Sequence, residues 1–138
     1  MKQLDKILIV DDDQTSTYLV KSLLEDLQVA SHIATATNGK EALDYIDAHC
    51  KGAAKAHQQA SANFCPELIL LDINMPVMNG FEFLEECKQR HCFKDHQVKV
   101  VMLSSSAAQI DIQQAKVYQV SEYIVKPLTE EKIIELIG

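Results

Sequence analysis

Short apolar runs alternate along this chain with stretches whose apolar residues recur at helical spacing. Lys6–Val10 (KILIV) is apolar and β-branched, as expected of a strand covered on both faces. A helix opening at Asp13 or Gln14 follows, with Val20, Leu23, Leu24 and Leu27 on one face. Val29–Ala34 reads as a second strand. Asn38-Gly39 marks a turn before a helix carrying Ala42, Leu43 and Ile46. Glu67–Leu71 (ELILL) is a third strand. Met75-Pro76 and Asn79-Gly80 punctuate the loop after it, and Phe81, Leu84, Cys87 and Lys88 lie along the next helix. In that helix Phe81 reads as core and Phe83 as helix surface. Val98–Leu103 is a fourth strand, a weak helix spans roughly Ala107–Gln119, and Glu122–Val125 is a fifth strand. Thr129 is placed to cap a last helix, with Glu130 and Glu131 at its positive end.

Five such β-α repeats predict an α/β fold, a parallel sheet with helices on both faces. One stretch breaks the rhythm. Residues 50–65 form an insertion between the second helix and the third strand, longer than the usual connection of about 2–6 residues. No acidic residue occurs from Ala48 to Pro66. Ala53–Ala60 has good helix propensity, and the plain reading is a surface insertion.

Composition narrows the function classes. The 138 residues suit one domain, expected to span 1–138 with no output domain. Thirteen basic against 20 acidic residues give a net charge of −7, which argues against nucleic acid or an anionic membrane as partner. With 47 % hydrophobic and 24 % charged residues the chain has the balance of a folded protein, not a disordered one. No apolar run approaches the ~20 residues that span a bilayer. The opening MKQLDKILIVDDD meets three acids where a signal peptide would continue, so a cytoplasmic location is expected. In that compartment Cys50, Cys65, Cys87 and Cys92 are expected to stay reduced. Cys87, His91, Cys92 and His96 match no zinc-ligand spacing and read as chance composition.

The chemistry collects at strand ends. In open parallel sheets, ligands bind outside the carboxyl ends of the strands. Here those ends carry Asp11-Asp12-Asp13, Asp72, Ser104 and Lys126. Crowded carboxylates raise one another's pKa, and a hard divalent cation such as Mg²⁺ relieves them. Lys126 adds a compact positive charge, and Ser104 a hydrogen-bond donor. The set suits a phosphoryl group with one carboxylate as its covalent acceptor.

ILIVDDD (Ile7–Asp13), LILLDINMPVMNGFEFL (Leu68–Leu84), VVMLSSS (Val100–Ser106) and YIVKPL (Tyr123–Leu128), with the weaker NGKEAL (Asn38–Leu43), resemble in order and spacing the receiver domain of two-component response regulators. The resemblance covers nearly the whole chain. It implies a flavodoxin-like doubly wound sheet of strand order 2-1-3-4-5. By position, Asp72 is similar to the family's phosphoacceptor, and Asp12 to its direct Mg²⁺ ligand. Asp11 matches the neighbour that acts on the metal largely through water, and Asn74 the residue whose backbone carbonyl reaches the ion. Ser104 matches the switch hydroxyl, with Ser105 and Ser106 leaving a one-residue slip open. Lys126 matches the phosphate-binding lysine before a proline that is often cis, and Tyr123 stands at the switch aromatic, where plain packing is an equal reading. Asp13 belongs to no core role and is expected to cap the first helix. Where the family often has Gly-Ala before the fifth strand, Val120-Ser121-Glu122 stand here.

The resemblance implies a protein that takes phosphate from a sensor histidine kinase or histidine phosphotransfer protein and is not a turnover enzyme. Its output would be a downstream protein target, or a homodimer formed through the face of helix four, strand five and helix five. Three other readings stand beside it. Asp11-Asp12-Asp13-Gln14-Thr15 fits the DxDxT motif of haloacid-dehalogenase-type phosphatases, but no later strand ends in the acid pair that chemistry needs, and Asp72 is left without a role. A pseudo-receiver would not keep the full set of site residues. A receiver cut from a longer regulator would show the same motifs.

Overall fold

The computed structural model describes residues 3–50, 65–90 and 98–137. Five strands form one sheet: β1 (Leu4–Val10), β2 (Ala30–Ala36), β3 (Leu68–Leu71), β4 (Lys99–Ser104) and β5 (Glu122–Val125). The helices among the described residues are α1 (Gln14–Leu27), α2 (Gly39–His49), α3 (Gly80–Cys87), α4 (Gln109–Val117) and α5 (Glu130–Ile137). The order across the sheet is β2-β1-β3-β4-β5 and every pairing is parallel, as expected of a flavodoxin-like fold.

Alternation along the strands divides the core in two. Leu8 and Val10 of β1, Ile69 and Leu71 of β3, and Val100 and Met102 of β4 face α2, α3 and Ala115 of α4. Ile7 and Ile9, Leu68 and Leu70, and Val101 and Leu103 face Val20 and Leu24 of α1 and Ile133, Leu136 and Ile137 of α5. Both faces of the middle strands are thus covered, which is why they are apolar without a polar phase.

Helix starts follow the sequence closely. The Asp13 carboxylate accepts from the Thr15 and Ser16 amides at 3.0 and 3.3 Å and caps α1. Asn38 and Asn79 were expected in turns. Both sit where those turns enter the helices and cap them, and Asn79 and Glu82 form a reciprocal capping box at 2.9 Å each way. The Thr129 hydroxyl accepts from the Lys132 amide at 3.3 Å.

Three expectations need correction. Phe83 is not on the helix surface. It is fully buried in the α2–α3 core, because α3 packs against α2 as well as the sheet and so covers Phe83 in addition to Phe81. Cys50 and Cys65 are not separate thiols. They form a disulfide with Cα atoms 4.5 Å apart, because the C-cap of α2 lies directly against the approach to β3. α4 is shorter than expected and buries only Ala115, while Ile110 and Val117 stand exposed. Its exit turns on Gln119 in the left-handed region (φ 62°). The Ala53–Ala60 stretch, His57, His91, Cys92 and His96 lie outside the described residues.

Candidate functional site

Strand register sets the site. Val10 pairs with Leu71, and the ladder continues one residue on, where the Asp72 amide donates to the Val10 carbonyl at 2.9 Å. Asp11 and Asp72 therefore leave neighbouring strands side by side. Among the described residues, Asp11, Asp12 and Asp72 each offer an oxygen within 4.8 Å of the others. Ser104 ends β4 opposite Val125, and Lys126 follows directly. The Lys126 ammonium donates to Asp11 Oδ2 at 2.8 Å and lies 3.7 Å from Asp72 Oδ2. The Lys126-Pro127 peptide bond is cis.

The remaining carboxylate oxygens are held by backbone. Asp11 Oδ1 accepts from the Asp13 amide at 2.9 Å, and Asp72 Oδ1 accepts from the Ile73 amide at 2.8 Å. Burial pushes the Asp72 carboxyl up; the Lys126 charge pulls it down and the Asp11 charge pushes it up again, leaving it at about 6. Burial alone would lower the Lys126 pKa, but the hydrogen bond it donates to Asp11 and the charges of Asp72, Asp11 and Asp13 outweigh it and hold the ammonium above its usual range. Two carboxylates and one cation, with a third carboxylate exposed at the rim, leave the cluster short of positive charge. A hard divalent cation fits that donor set, all oxygen and partly open to water.

Two glycines let the loop after β3 come close. The Gly80 amide donates to Ile73 O at 2.8 Å, and a Cβ on Gly80 would collide with the carbonyl of Asp72 itself. The Gly39 amide donates to Met78 O at 2.9 Å, and a Cβ there would meet Met78 at 2.8 Å. Between them Val77 has φ 69° and the Met78 amide bonds Pro76 O at 2.7 Å, a tight γ-turn centred on a β-branched residue. Asn74 lies exposed in the same loop.

Ser104 is almost fully buried, and its hydroxyl oxygen accepts from the Ser106 amide at 3.1 Å. The Ser106 hydroxyl donates to Asp111 at 2.6 Å and accepts from the Ala108 amide at 3.2 Å, in place of the side-chain cap that Ala108 cannot give α4. The Tyr123 hydroxyl donates to Ser106 O at 2.8 Å, and its ring packs against the α2–α3 core. Ser106 thus joins Ser104, Tyr123 and the start of α4. By sequence alone Ser106 stands only as a rival register for Ser104. Its spacing of two from Ser104 and five from Asp111 was the available signal.

The sequence pattern of the response regulator receiver domain matches residues 7–138. The chain belongs to that family. The receiver is 28 % identical over 127 residues to the probable methanogenesis regulatory protein FilR2 of Methanothrix harundinacea, covering 92 % of this chain and 75 % of FilR2. It is 29 % identical over 131 residues to the transcriptional regulatory protein CpxR of Escherichia coli, covering 95 % of this chain but only 47 % of CpxR. In structure it is similar to a two component response regulator from Cytophaga hutchinsonii, with TM-score 0.80, 27 % identity and coverage of 98 % and 95 % of the two chains. The chain is therefore a receiver of two-component signalling. Receivers are signalling proteins rather than turnover enzymes; they bind Mg²⁺ at an acidic pocket and interact with histidine kinases or phosphotransferases and with downstream targets. In the phosphatase reading Asp13, the second Asp of the DxDxT match, would be the acid, but its carboxylate caps α1. No helix among the described residues is long and apolar enough to cross a membrane.

Proposed function

We propose that this receiver accepts a phosphoryl group from a phosphohistidine on a sensor kinase or histidine phosphotransfer protein onto Asp72. The observation that carries the reading is the pairing of one lysine with two strand-end carboxylates, Asp11 at 2.8 Å and Asp72 at 3.7 Å, at the rim where the register places Ser104. In the transfer, an Asp72 oxygen forms a bond to phosphorus as the bond from phosphorus to the histidine nitrogen breaks. The transition state is loose and its charge sits on the phosphoryl oxygens. Lys126 holds a proton-rich head where one of those oxygens would come, and Ser104 can donate its hydroxyl hydrogen to another while its oxygen still accepts from Ser106. Asp11, Asp12 and Asp72, with the backbone carbonyl of Asn74, would hold Mg²⁺, which supplies charge neutralisation for the incoming oxygens. The acyl phosphate later hydrolyses.

Readout needs a second state. Ser104, Ser106 and Tyr123 form a continuous hydrogen-bonded path from the rim to the start of α4. Drawing Ser104 toward a phosphoryl oxygen would pull on the Ser106 amide bonded to it and bias that path, so the face of α4, β5 and α5 is the surface that changes. Exposed Val125 and Ile134 on that face suit a downstream protein or a second copy of the chain. The test is incubation with Mg²⁺ and a small phosphodonor such as acetyl phosphate, read by intact mass. One added phosphoryl group that Asp72→Asn cannot take supports the reading; equal uptake by the variant overturns it.

A further inference from the structure

α2 is fastened at both ends to the segment that carries Asp72. At its N-terminus the Gly39 amide holds Met78 O, in the loop that leaves Asp72. At its C-terminus Cys50 is bonded to Cys65, on the approach to β3. Between the two anchors Ala42, Leu43 and Ile46 pack with Ile69 and Leu71. Asp47, near the same end, takes a two-pronged contact from Arg90 at 2.9 and 3.2 Å beyond α3. Cys50 is fully buried and Cys65 is 6 % exposed, so the bridge is a core contact and not a surface ornament.

A five-stranded domain of this size folds without a staple. In a reducing compartment, disulfides are transient and report redox state. We propose that Cys50–Cys65 is a reversible thiol–disulfide site, a redox-sensitive clasp on α2. A thiolate of a dithiol reductant attacks one sulfur and forms a mixed disulfide; its second thiolate then displaces the protein sulfur. The protein S–S bond is broken and two thiols form, gaining two electrons and two protons, while the reductant leaves as a cyclic disulfide. A disulfide oxidant reverses the exchange. Because both sulfurs are buried, exchange proceeds through opening of the last turn of α2, and the open form frees that turn from β3.

The test compares oxidised protein with the same protein treated with dithiothreitol. Trypsin cuts after Lys51, Lys55 and Lys88, so the Cys50 peptide stays joined to the peptide of Cys65 and Cys87 only through a disulfide, which fragmentation assigns to Cys65. The oxidised digest should contain that cross-linked pair and the reduced digest should not, and glutathione disulfide should restore it. Closing a loop of 15 residues should raise the melting midpoint by roughly 10 °C over the reduced form. Hydrogen exchange should show reduced protein losing protection in α2 and at Gly39. A Cys50→Ser, Cys65→Ser variant should match the reduced form and ignore dithiothreitol; if it does not fold, the wild-type comparison stands alone. Absence of the cross-linked peptide from air-oxidised protein, or equal melting and exchange in both forms, overturns the proposal. These readouts are blind to phosphoryl chemistry, so their outcome is separate from whether Asp72 takes phosphate.

Discussion

Lys126 sits closer to Asp11 than to Asp72, at 2.8 Å against 3.7 Å. Its charge is therefore shared, with the larger part going to the buried Asp11. Burial pushes the Asp72 carboxyl up, and the Lys126 charge, set against that of Asp11, brings it only part of the way back, to about 6. A carboxylate held ready but under-compensated is what an incoming cation and phosphoryl group would both relieve.

The first prediction concerns that buried carboxyl. Asp72 binds its proton more tightly folded than unfolded, so folding takes up a proton between its ordinary value of 3.8 and about 6. Its stabilising share is complete below that window and lost as pH rises through about 6. In chelator, the melting midpoint of the wild type should fall from pH 4.5 to 7.5 more than that of Asp72→Asn, and at pH 7.5 the variant should melt higher. With Mg²⁺ the wild-type trend should reverse, because protons and the cation compete for the same carboxylate. Identical pH slopes in chelator would contradict the assignment.

Lys126→Met removes the cation facing two carboxylates. Phosphate uptake should drop by roughly 100-fold, the usual cost of one preorganised charge in a transition-state site. Time courses of intact mass measure it. An unchanged rate would place the lysine outside the chemistry.

Gly80→Ala drives a methyl into the carbonyl of Asp72. The variant should lose about 2 kcal/mol of stability in urea melts and slow phosphate uptake as well, since the backbone that yields is that of the acceptor. Wild-type values for both would mean that the loop has room the structure does not show.

Val77 is 80 % exposed and strained in the left-handed region. Val77→Asn should stabilise the protein by about 1 kcal/mol, because Asn tolerates that backbone and Val does not. Equal or lower stability would contradict the γ-turn.

Most of this architecture was legible because the strands are apolar on both faces and end in charged or hydroxylic residues. Asp11, Asp12, Asp72, Ser104 and Lys126 could be set at one rim from β-α alternation alone, and the register brings them there. Asp13 was legible as a cap because it directly precedes the periodic face of α1. What stayed hidden depends on contacts between distant segments. The Cys50–Cys65 bridge needs α2 and the start of β3 to meet, which no local spacing reveals. Phe83 was assigned to the surface because a short helix gives too few turns to fix its phase. The Asn-Gly pairs mark the turns before α2 and α3, but cap and turn share a composition, so the capping bonds themselves were not legible. Ser106 matters through a hydroxyl bond to Asp111 and a carbonyl bond from Tyr123, neither of which leaves a motif.

The most direct measurement of the central claim is intact mass of the wild type and Asp72→Asn, with and without Mg²⁺, during incubation with acetyl phosphate. The wild type should gain one phosphoryl group only when Mg²⁺ is present, and lose it again once the donor is removed. The Asp72→Asn protein should stay at its starting mass. Uptake by that variant at the wild-type rate, or uptake by the wild type in chelator at an undiminished rate, would contradict the account.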